Sequence, residues 1–155
     1  MAGKVEAKTV YELAAPAERV FDAWLDPVQV RSWAARSVAG KRYTDVRRVE
    51  IDARVGGKFT FSDMREREEV VHWGYYREID RPRKLVFTWF TSEEEEQEDD
   101  SLVTLTLEPL PTGCRATMVH TMHERWAEYV EPTARAWNLT LQQIDTELAA
   151  RAAAT

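Results

Sequence analysis

The stretch from Val70 to Trp89 constrains the fold of this chain more than any other part of it. It predicts two β-strands joined by a turn at residues 80–83, because aromatic and branched residues alternate with polar ones on both sides of a proline. Alternation assigns one face of the hairpin to Val71, Trp73, Tyr75, Arg77, Ile79, Leu85, Phe87 and Trp89. Each large aromatic side chain buries roughly 150–250 Å² when it packs. Another element must therefore cover this face.

The rest of the chain supplies further strands and three helices. Alternating patterns predict strands at residues 4–13, 46–53, 58–63, 101–108 and 114–123. Helices are predicted after Pro16, after the capping pair Asp26 and Pro27, and from Pro132 onward. The paired glycines Gly56 and Gly57 predict a tight reversal between two strands. The order is one strand, two short helices, six strands and one long helix.

The last helix has one apolar face, formed by Ala134, Trp137, Leu141, Ile144 and Leu148. We expect its other face, with Arg135, Gln142, Gln143, Asp145 and Glu147, to contact solvent. Seven antiparallel strands must curl to bury one face, and only this helix is large enough to fill the concavity. The sequence therefore predicts an α+β fold in a single domain spanning residues 1–155, with its core at about 8–150.

Composition limits the classes of function. The chain has 155 residues and a single cysteine, Cys114, so an internal disulfide framework is excluded. It contains no apolar run of 18 residues and no hydrophobic N-terminal segment, which predicts a cytoplasmic protein without membrane insertion.

The net charge of −6 is concentrated in one segment. Residues 93–100 hold seven acids, and the remainder of the chain holds 20 acids and 21 bases. A nearly neutral body argues against nucleic acid as a partner, since binding phosphates requires a concentrated basic face. We expect the acidic segment to form a solvated hairpin tip, with docking of a basic partner as the alternative.

No motif for nucleophilic catalysis or phosphate binding is present in the sequence. His120 and His123 fall on opposite faces of a strand, so we expect no metal site, and no cofactor is predicted. His120 shares the inward register of Met118 and is either a ligand contact or a core histidine with its own partners. Arg77, in the same inward register, is either a ligand contact or part of an ion pair.

Several segments of the sequence, taken in their order along the chain, resemble the AHSA1-like family of Hsp90-ATPase-activator homologues, within the START/Bet v1-like (SRPBCC) superfamily. The match covers about residues 8–150. It is carried by residues 15–24, Asp26, Pro27, Trp33, 54–59, 74–79, Pro82, 85–89, 103–105, Trp137 and Leu141. The chain departs from the family pattern at Ala34 and Ala136. It shows no counterpart of the separate N-terminal domain with which eukaryotic co-chaperones stimulate Hsp90, which puts Hsp90 activation in doubt.

The resemblance implies the helix-grip fold, a curved antiparallel sheet around a long C-terminal helix with a cavity between them. Members of the wider superfamily bind lipids, sterols, plant hormones or aromatic polyketides. The leading hypothesis is therefore binding of a hydrophobic or aromatic small molecule, lipid- or polyketide-like, in such a cavity. The candidate cavity residues are Trp33, Ile51, Phe59, Phe61, Trp73, Tyr75, Arg77, Phe87, Trp89, Leu105, Met118, His120, Trp137 and Leu141.

Two alternatives from other classes stay open. A cyclase or aromatase would use the same cavity and would lose turnover when His120 or Arg77 is replaced. A stress-response module associated with an Hsp90-type chaperone would use the outer surface and the loop at residues 34–44. If the chain is instead a small-molecule binder, replacing Trp73 or Trp89 should weaken ligand binding.

Overall fold

The computed structural model describes residues 3–40 and 43–154 of the chain. In chain order, its elements are β1 (Lys4–Leu13), α1 (Ala17–Leu25), α2 (Pro27–Ala34), β2 (Asp45–Ile51), β3 (Lys58–Arg65), β4 (Glu68–Asp80), β5 (Lys84–Thr88), α3 (Glu93–Glu98), β6 (Leu102–Pro109), β7 (Cys114–His123), a 3-10 helix (Glu124–Tyr129) and α4 (Val130–Ala153). Two of these, α3 and the 3-10 helix, were not predicted from the sequence.

All seven strands form one antiparallel sheet in the order β1-β7-β6-β5-β4-β3-β2. The sheet curves around α4, which confirms the α+β helix-grip architecture. Helix α4 packs chiefly against β1 at one end of the sheet order, and against α2. Two polar contacts fix this position: Asn138 Nδ2 donates to Thr9 Oγ1 at 2.9 Å, and the Tyr11 hydroxyl donates to Asp145 at 3.2 Å.

Local sequence signals explain the two short helices between β1 and β2. Asp26 caps α2, since its Oδ1 accepts from the backbone N–H of Val28 at 3.0 Å, and Pro27 occupies the first turn, where no N–H is needed. Trp33 then donates its Nε1–H to the carbonyl of Ala23 at 2.9 Å. The two helices are thus joined through a buried side chain and close over one end of the sheet.

The inward faces of β6 and β7 follow the predicted alternation and form the solid part of the core. The buried side chains of these two strands include Val103, Leu105, Leu107, Ala116 and Met118. They belong to one core cluster with Leu141, Ile144 and Leu148 of the apolar face of α4.

Strand β4 has the opposite facing from the one predicted. Before Arg77, the residues of β4 that face inward are His72, Gly74 and Tyr76, while Trp73 and Tyr75 lie on the outer face. The cause is a β-bulge: Tyr76 pairs with Phe87 and Glu78 pairs with Val86, so one extra residue, Arg77, sits between the pairs. One inserted residue exchanges the two faces of a strand. Ile79, beyond the bulge, does pack against the core as predicted.

The acidic segment connects the antiparallel neighbours β5 and β6 and has no buried residue in its helix, as a solvated hairpin tip would, but it forms the short helix α3, which was not predicted. Ser92 caps α3 by accepting from the Glu95 backbone N–H, and four glutamates occupy the first turn, where the helix dipole favours negative charge. Glu96 accepts from Trp73 Nε1 at 2.5 Å and from the Tyr75 hydroxyl at 3.2 Å. The outward-facing aromatics of β4 therefore bind the acidic helix.

Two polar residues of α4 are also buried, although the sequence pattern predicted that they would face solvent. Gln143 donates to the backbone carbonyls of Ala34 and Arg36, at 3.0 and 2.9 Å. Glu147 accepts from Arg36 at 2.7 Å and from Arg151 at 2.6 Å. Both side chains turn toward the segment after α2, where they satisfy its backbone and its charge.

Gly74 gives a stability test of the inward register of β4. A Cβ at this position would lie 1.9 Å from the carbonyl oxygen of Thr88, a backbone atom of the paired segment that cannot move aside locally. We expect Gly74→Ala to lower the free energy of unfolding by roughly 3 kcal/mol or more. Gly56→Ala is the control, because its φ of +85° is strained but its Cβ meets open space. It should cost only about 1 kcal/mol. Equal losses in urea denaturation of the two variants would contradict this register.

Candidate functional site

A cavity of about 540 Å³ lies between the concave face of the sheet and helix α4. The sheet contributes Val49, Ile51, Phe59, Thr60, Phe61, Asp63, Arg65, His72, Tyr76, Leu85, Phe87, Trp89 and His120. The helices and the segment after α2 contribute Trp24, Val30, Trp33, Ala34, Thr44, Thr133, Ala136, Trp137, Leu139, Thr140 and Gln143. The wall is mainly apolar, and the volume falls within the roughly 300–1,000 Å³ of small-molecule sites.

Aromatic rings form a continuous network around this cavity. Trp137 of α4 lies 5.1 Å from Trp89 and 6.3 Å from Trp24, measured between ring centroids. Phe87 lies within 6.4 Å of Trp89 and of Phe59 in edge-on geometries. Such edge and tilted contacts are the favoured arrangements of aromatic pairs. The rings pack against one another but do not fill the cavity that they surround.

The structure brings together eight of the fourteen predicted cavity residues. Those lining the cavity are Trp33, Ile51, Phe59, Phe61, Phe87, Trp89, His120 and Trp137. Leu105, Met118 and Leu141 are fully buried in the solid core and do not line it.

The remaining three, Trp73, Tyr75 and Arg77, were assigned to the cavity wrongly. Because of the bulge, their side chains do not face the cavity. Arg77 forms an ion pair with Asp99, just past α3, at 3.1 Å. Of the two readings left open for Arg77, the structure shows the ion pair.

Reasoning from the sequence missed His72 and Tyr76 as cavity residues. Both follow from the inverted facing of β4, and the sequence carries no clear signal for the bulge that causes it. Tyr76 is buried, and its burial, with the nearby Asp52 carboxylate, raises the pKa of its phenol. The Tyr76 hydroxyl is therefore protonated at neutral pH.

His120 is held by two side chains. Trp137 donates its Nε1–H to Nδ1 of His120 at 3.0 Å, which makes Nδ1 the acceptor. The other nitrogen, Nε2, lies 2.7 Å from the Ser101 hydroxyl and carries the proton in the neutral ring. Burial lowers the pKa of His120 to about 4. Both ring nitrogens are engaged, so His120 positions Trp137 in the cavity wall.

The cavity has a polar end formed by three residues of β3 and β4. Arg65 donates to both carboxylate oxygens of Asp63, at 2.9 and 3.4 Å. The Asp63 side chain is 8% exposed and that of Arg65 is 57% exposed, so the pair runs from the interior to solvent. His72 stacks on Trp89 with ring centroids 4.7 Å apart. Burial and, to a lesser extent, the Arg65 charge lower the pKa of His72 to about 4, with Asp63 opposing.

Two buried polar atoms around the cavity have no hydrogen-bond partner in the part of the chain that the structure describes. They are Nδ1 of His72 and Nε1 of Trp24. An unpaired buried polar atom typically costs about 1–3 kcal/mol. Such atoms are uncommon in native proteins and often mark functional positions.

A second depression of about 350 Å³ adjoins the cavity and shares Trp89, His120 and Thr133 with it. Its three carboxylates already have partners: Glu95 accepts from the Thr91 hydroxyl, Glu98 is ion-paired with Arg125, and Asp100 lies 3.9 Å from Lys4. We therefore assign it no ligand of its own.

Neither a metal site nor a membrane-spanning helix is found among the described residues. Within residues 3–40 and 43–154, no group of three histidine, cysteine or acidic side chains is placed to hold a metal ion. In the same ranges, no helix combines the length and the apolar character needed to cross a membrane.

A sequence profile of the family described as "Activator of Hsp90 ATPase homolog 1-like protein" matches residues 14–149. The chain belongs to the AHSA1-like family. A comparison with curated protein sequences found no match.

Solved structures share the AHSA1-like fold over nearly their whole length. Protein NE0264 from Nitrosomonas europaea is 19% identical, with a TM-score of 0.78 over 96% of this chain and 97% of that one. SA2116 from Staphylococcus aureus, a protein of unknown function, is 15% identical, with a TM-score of 0.79 and 97% of both chains covered. The AHSA1-like protein from Aeromonas hydrophila is 17% identical, with a TM-score of 0.73 over 96% and 94%. At these identities the similarity shows the fold alone.

The two buried histidines of this AHSA1-like chain predict a loss of stability in mild acid. Their pKa is about 4 in the folded state and about 6.5 when unfolded, so the unfolded chain binds more protons between these values. Stability therefore falls as pH drops through this window, by roughly 1 kcal/mol per histidine between pH 7 and pH 5.5. Urea denaturation at the two pH values measures the loss. His72→Phe should remove about half of it, and an unchanged loss in this variant would contradict the assignment.

Proposed function

We propose that this chain binds a hydrophobic or aromatic small molecule in the cavity between its sheet and helix α4. The observation that carries the proposal is the unfilled volume of about 540 Å³ walled mainly by aromatic side chains. Protein interiors are normally close-packed, and a volume of this size that no described side chain fills forfeits protein–protein dispersion contacts along its wall. A ligand that fills it restores these contacts and removes its own apolar surface from water, which contributes roughly 25 cal/mol per Å².

Access from solvent supports the same function. The half-exposed Arg65 lies in the cavity wall together with the deeply buried Phe87 and Trp137, so the wall extends from the surface to the core. Ala136 and Thr140 of α4, one turn apart, border the same space. The wall reaches solvent at Arg65 and at the exposed Ala136, and we infer that a ligand enters at one of these positions.

The two other hypotheses stay predictions. For a cyclase or aromatase, the structure leaves His120 in the cavity wall but places Arg77 outside it. For a module associated with an Hsp90-type chaperone, the implicated loop at residues 34–44 includes positions 41 and 42, which lie outside the described residues. No contact described above favours either one over ligand binding.

The tryptophans on the two faces of the hairpin provide a matched test of the proposed site. Trp89 lines the cavity, whereas Trp73 lies on the outer face and contacts Glu96. With the neutral fluorescent probe N-phenyl-1-naphthylamine, we expect saturable one-to-one binding. Trp89→Ala should weaken it at least about fivefold, because one large aromatic contact is lost. Trp73→Ala should leave the dissociation constant unchanged.

A cavity-filling variant provides an independent readout. Thr140→Phe adds a ring to the helical wall and should block the probe while circular dichroism shows a folded chain. Probe binding that is lost in Trp73→Ala but kept in Trp89→Ala and Thr140→Phe would overturn the proposed site. Native mass spectrometry of the chain purified from cells would then identify any bound molecule by its mass.

A further inference from the structure

We propose that the polar end of the cavity, formed by His72 beside the Asp63–Arg65 ion pair, selects neutral ligands that carry a hydroxyl or carbonyl group on an aromatic body. This inference rests on the proposed function, since it specifies the ligand class of the same cavity. The inference predicts that a neutral ligand with an oxygen substituent binds more tightly than a hydrocarbon or a carboxylate of similar size.

The first step of the argument is the unsatisfied imidazole. His72 is more than nine-tenths buried and lines the cavity, and its Nδ1 has no partner within residues 3–40 and 43–154. His120, the other histidine of the cavity wall, has both ring nitrogens engaged. A neutral imidazole offers one N–H donor and one acceptor. Protein atoms enclose Nδ1, whereas Nε2 is not fully enclosed and has no hydrogen bond to any of the described residues. His72 therefore retains at Nε2 a hydrogen-bonding capacity that a hydrocarbon ligand would leave unused.

The second step is the position of the imidazole. The His72 ring stacks on Trp89 with an interplanar angle of 18°, and Trp89 in turn contacts Trp137 and Phe59. The imidazole is thus an extension of the aromatic wall rather than a separate polar patch. A planar ligand packed along these rings carries its substituent toward His72, which favours an oxygen at the edge of an aromatic body.

The third step is charge. Arg65 donates to both carboxylate oxygens of Asp63, so the pair carries no net charge. His72 is neutral at pH 7, because burial lowers its pKa to about 4. None of the described lining residues therefore offers an unpaired positive charge. A carboxylate entering the cavity would lose its hydration and lie near the buried Asp63 without a compensating cation. The site disfavours anions.

Three naphthalenes of nearly equal size test the selection: 2-naphthol, 2-methylnaphthalene and 2-naphthoate, titrated at pH 7 with dissociation constants from NMR. We expect 2-naphthol to bind about three- to tenfold tighter than 2-methylnaphthalene, the range for one net hydrogen bond. The 2-naphthoate anion should bind at least about tenfold more weakly than 2-naphthol.

Two variants assign the preference to its residue. His72→Phe keeps a ring against Trp89 but removes both nitrogens, so the ratio between 2-naphthol and 2-methylnaphthalene should fall to about one while 2-methylnaphthalene still binds. Thr140→Val is the control, because it removes a hydroxyl from the same cavity wall that already donates to the carbonyl of Ala136 at 3.0 Å. Its ratio should match that of the unmodified chain.

Wild-type protein gives the same answer if His72→Phe does not fold. In long-range ¹H–¹⁵N spectra, 2-naphthol should shift the ring nitrogens of His72, while those of His120 keep their tautomer. Binding of all three probes without preference, tightest binding of 2-naphthoate, or a preference that persists in His72→Phe would overturn the inference and leave the proposed function standing. Failure of every probe to bind would instead overturn the proposed function.

Discussion

The position of helix α4 on the sheet is the constraint on which the rest of this structure depends. The helix packs against β1, where Asn138 meets Thr9 and Asp145 meets Tyr11. Toward the interior of the sheet, Trp137 donates to His120 of β7, and its ring lies against Phe87 and Trp89. Over β3 to β5 the sheet curves away from the helix, and the aromatic side chains there reach one another without filling the gap. The cavity is a geometric consequence of a helix fixed at one end of a curved sheet.

The polar groups around the cavity are arranged so that the interior carries little net charge. Asp63 is matched by Arg65, Glu147 by Arg36 and Arg151, and the two histidines are kept neutral by burial. A low-dielectric interior penalises any uncompensated charge, and this arrangement avoids one. The imidazole of His72 and Nε1 of Trp24 are exceptions to the otherwise satisfied polar groups. In a native protein, an exception of this kind in a cavity wall points to a ligand more than to a structural need.

Membership of the AHSA1-like family adds the fold and little more about function. The solved structures that resemble this chain are 15 to 19% identical in the three cases described, which is too distant to carry over a ligand. Under the proposed function, the specificity of this chain would be decided by its own side chains around the cavity. His72 and the Asp63–Arg65 pair would then distinguish among ligands, since the aromatic rings offer only apolar contacts.

The sequence by itself determined the order of the seven strands and of helices α1, α2 and α4, the antiparallel strand pairing and most of the aromatic wall. It did so because these features follow from local periodicity, capping at Asp26 and turn chemistry at Gly56. Only the tertiary structure decided which face of β4 points inward, because a bulge of one residue at Arg77 depends on how β4 pairs with β5 and not on the alternation within β4. The burial of Gln143 and Glu147 was likewise decided by the segment that folds onto them. The alternation of residues along one strand does not show how a neighbouring strand or helix changes its pairing. For that reason, only the folded chain shows that His72 lines the cavity.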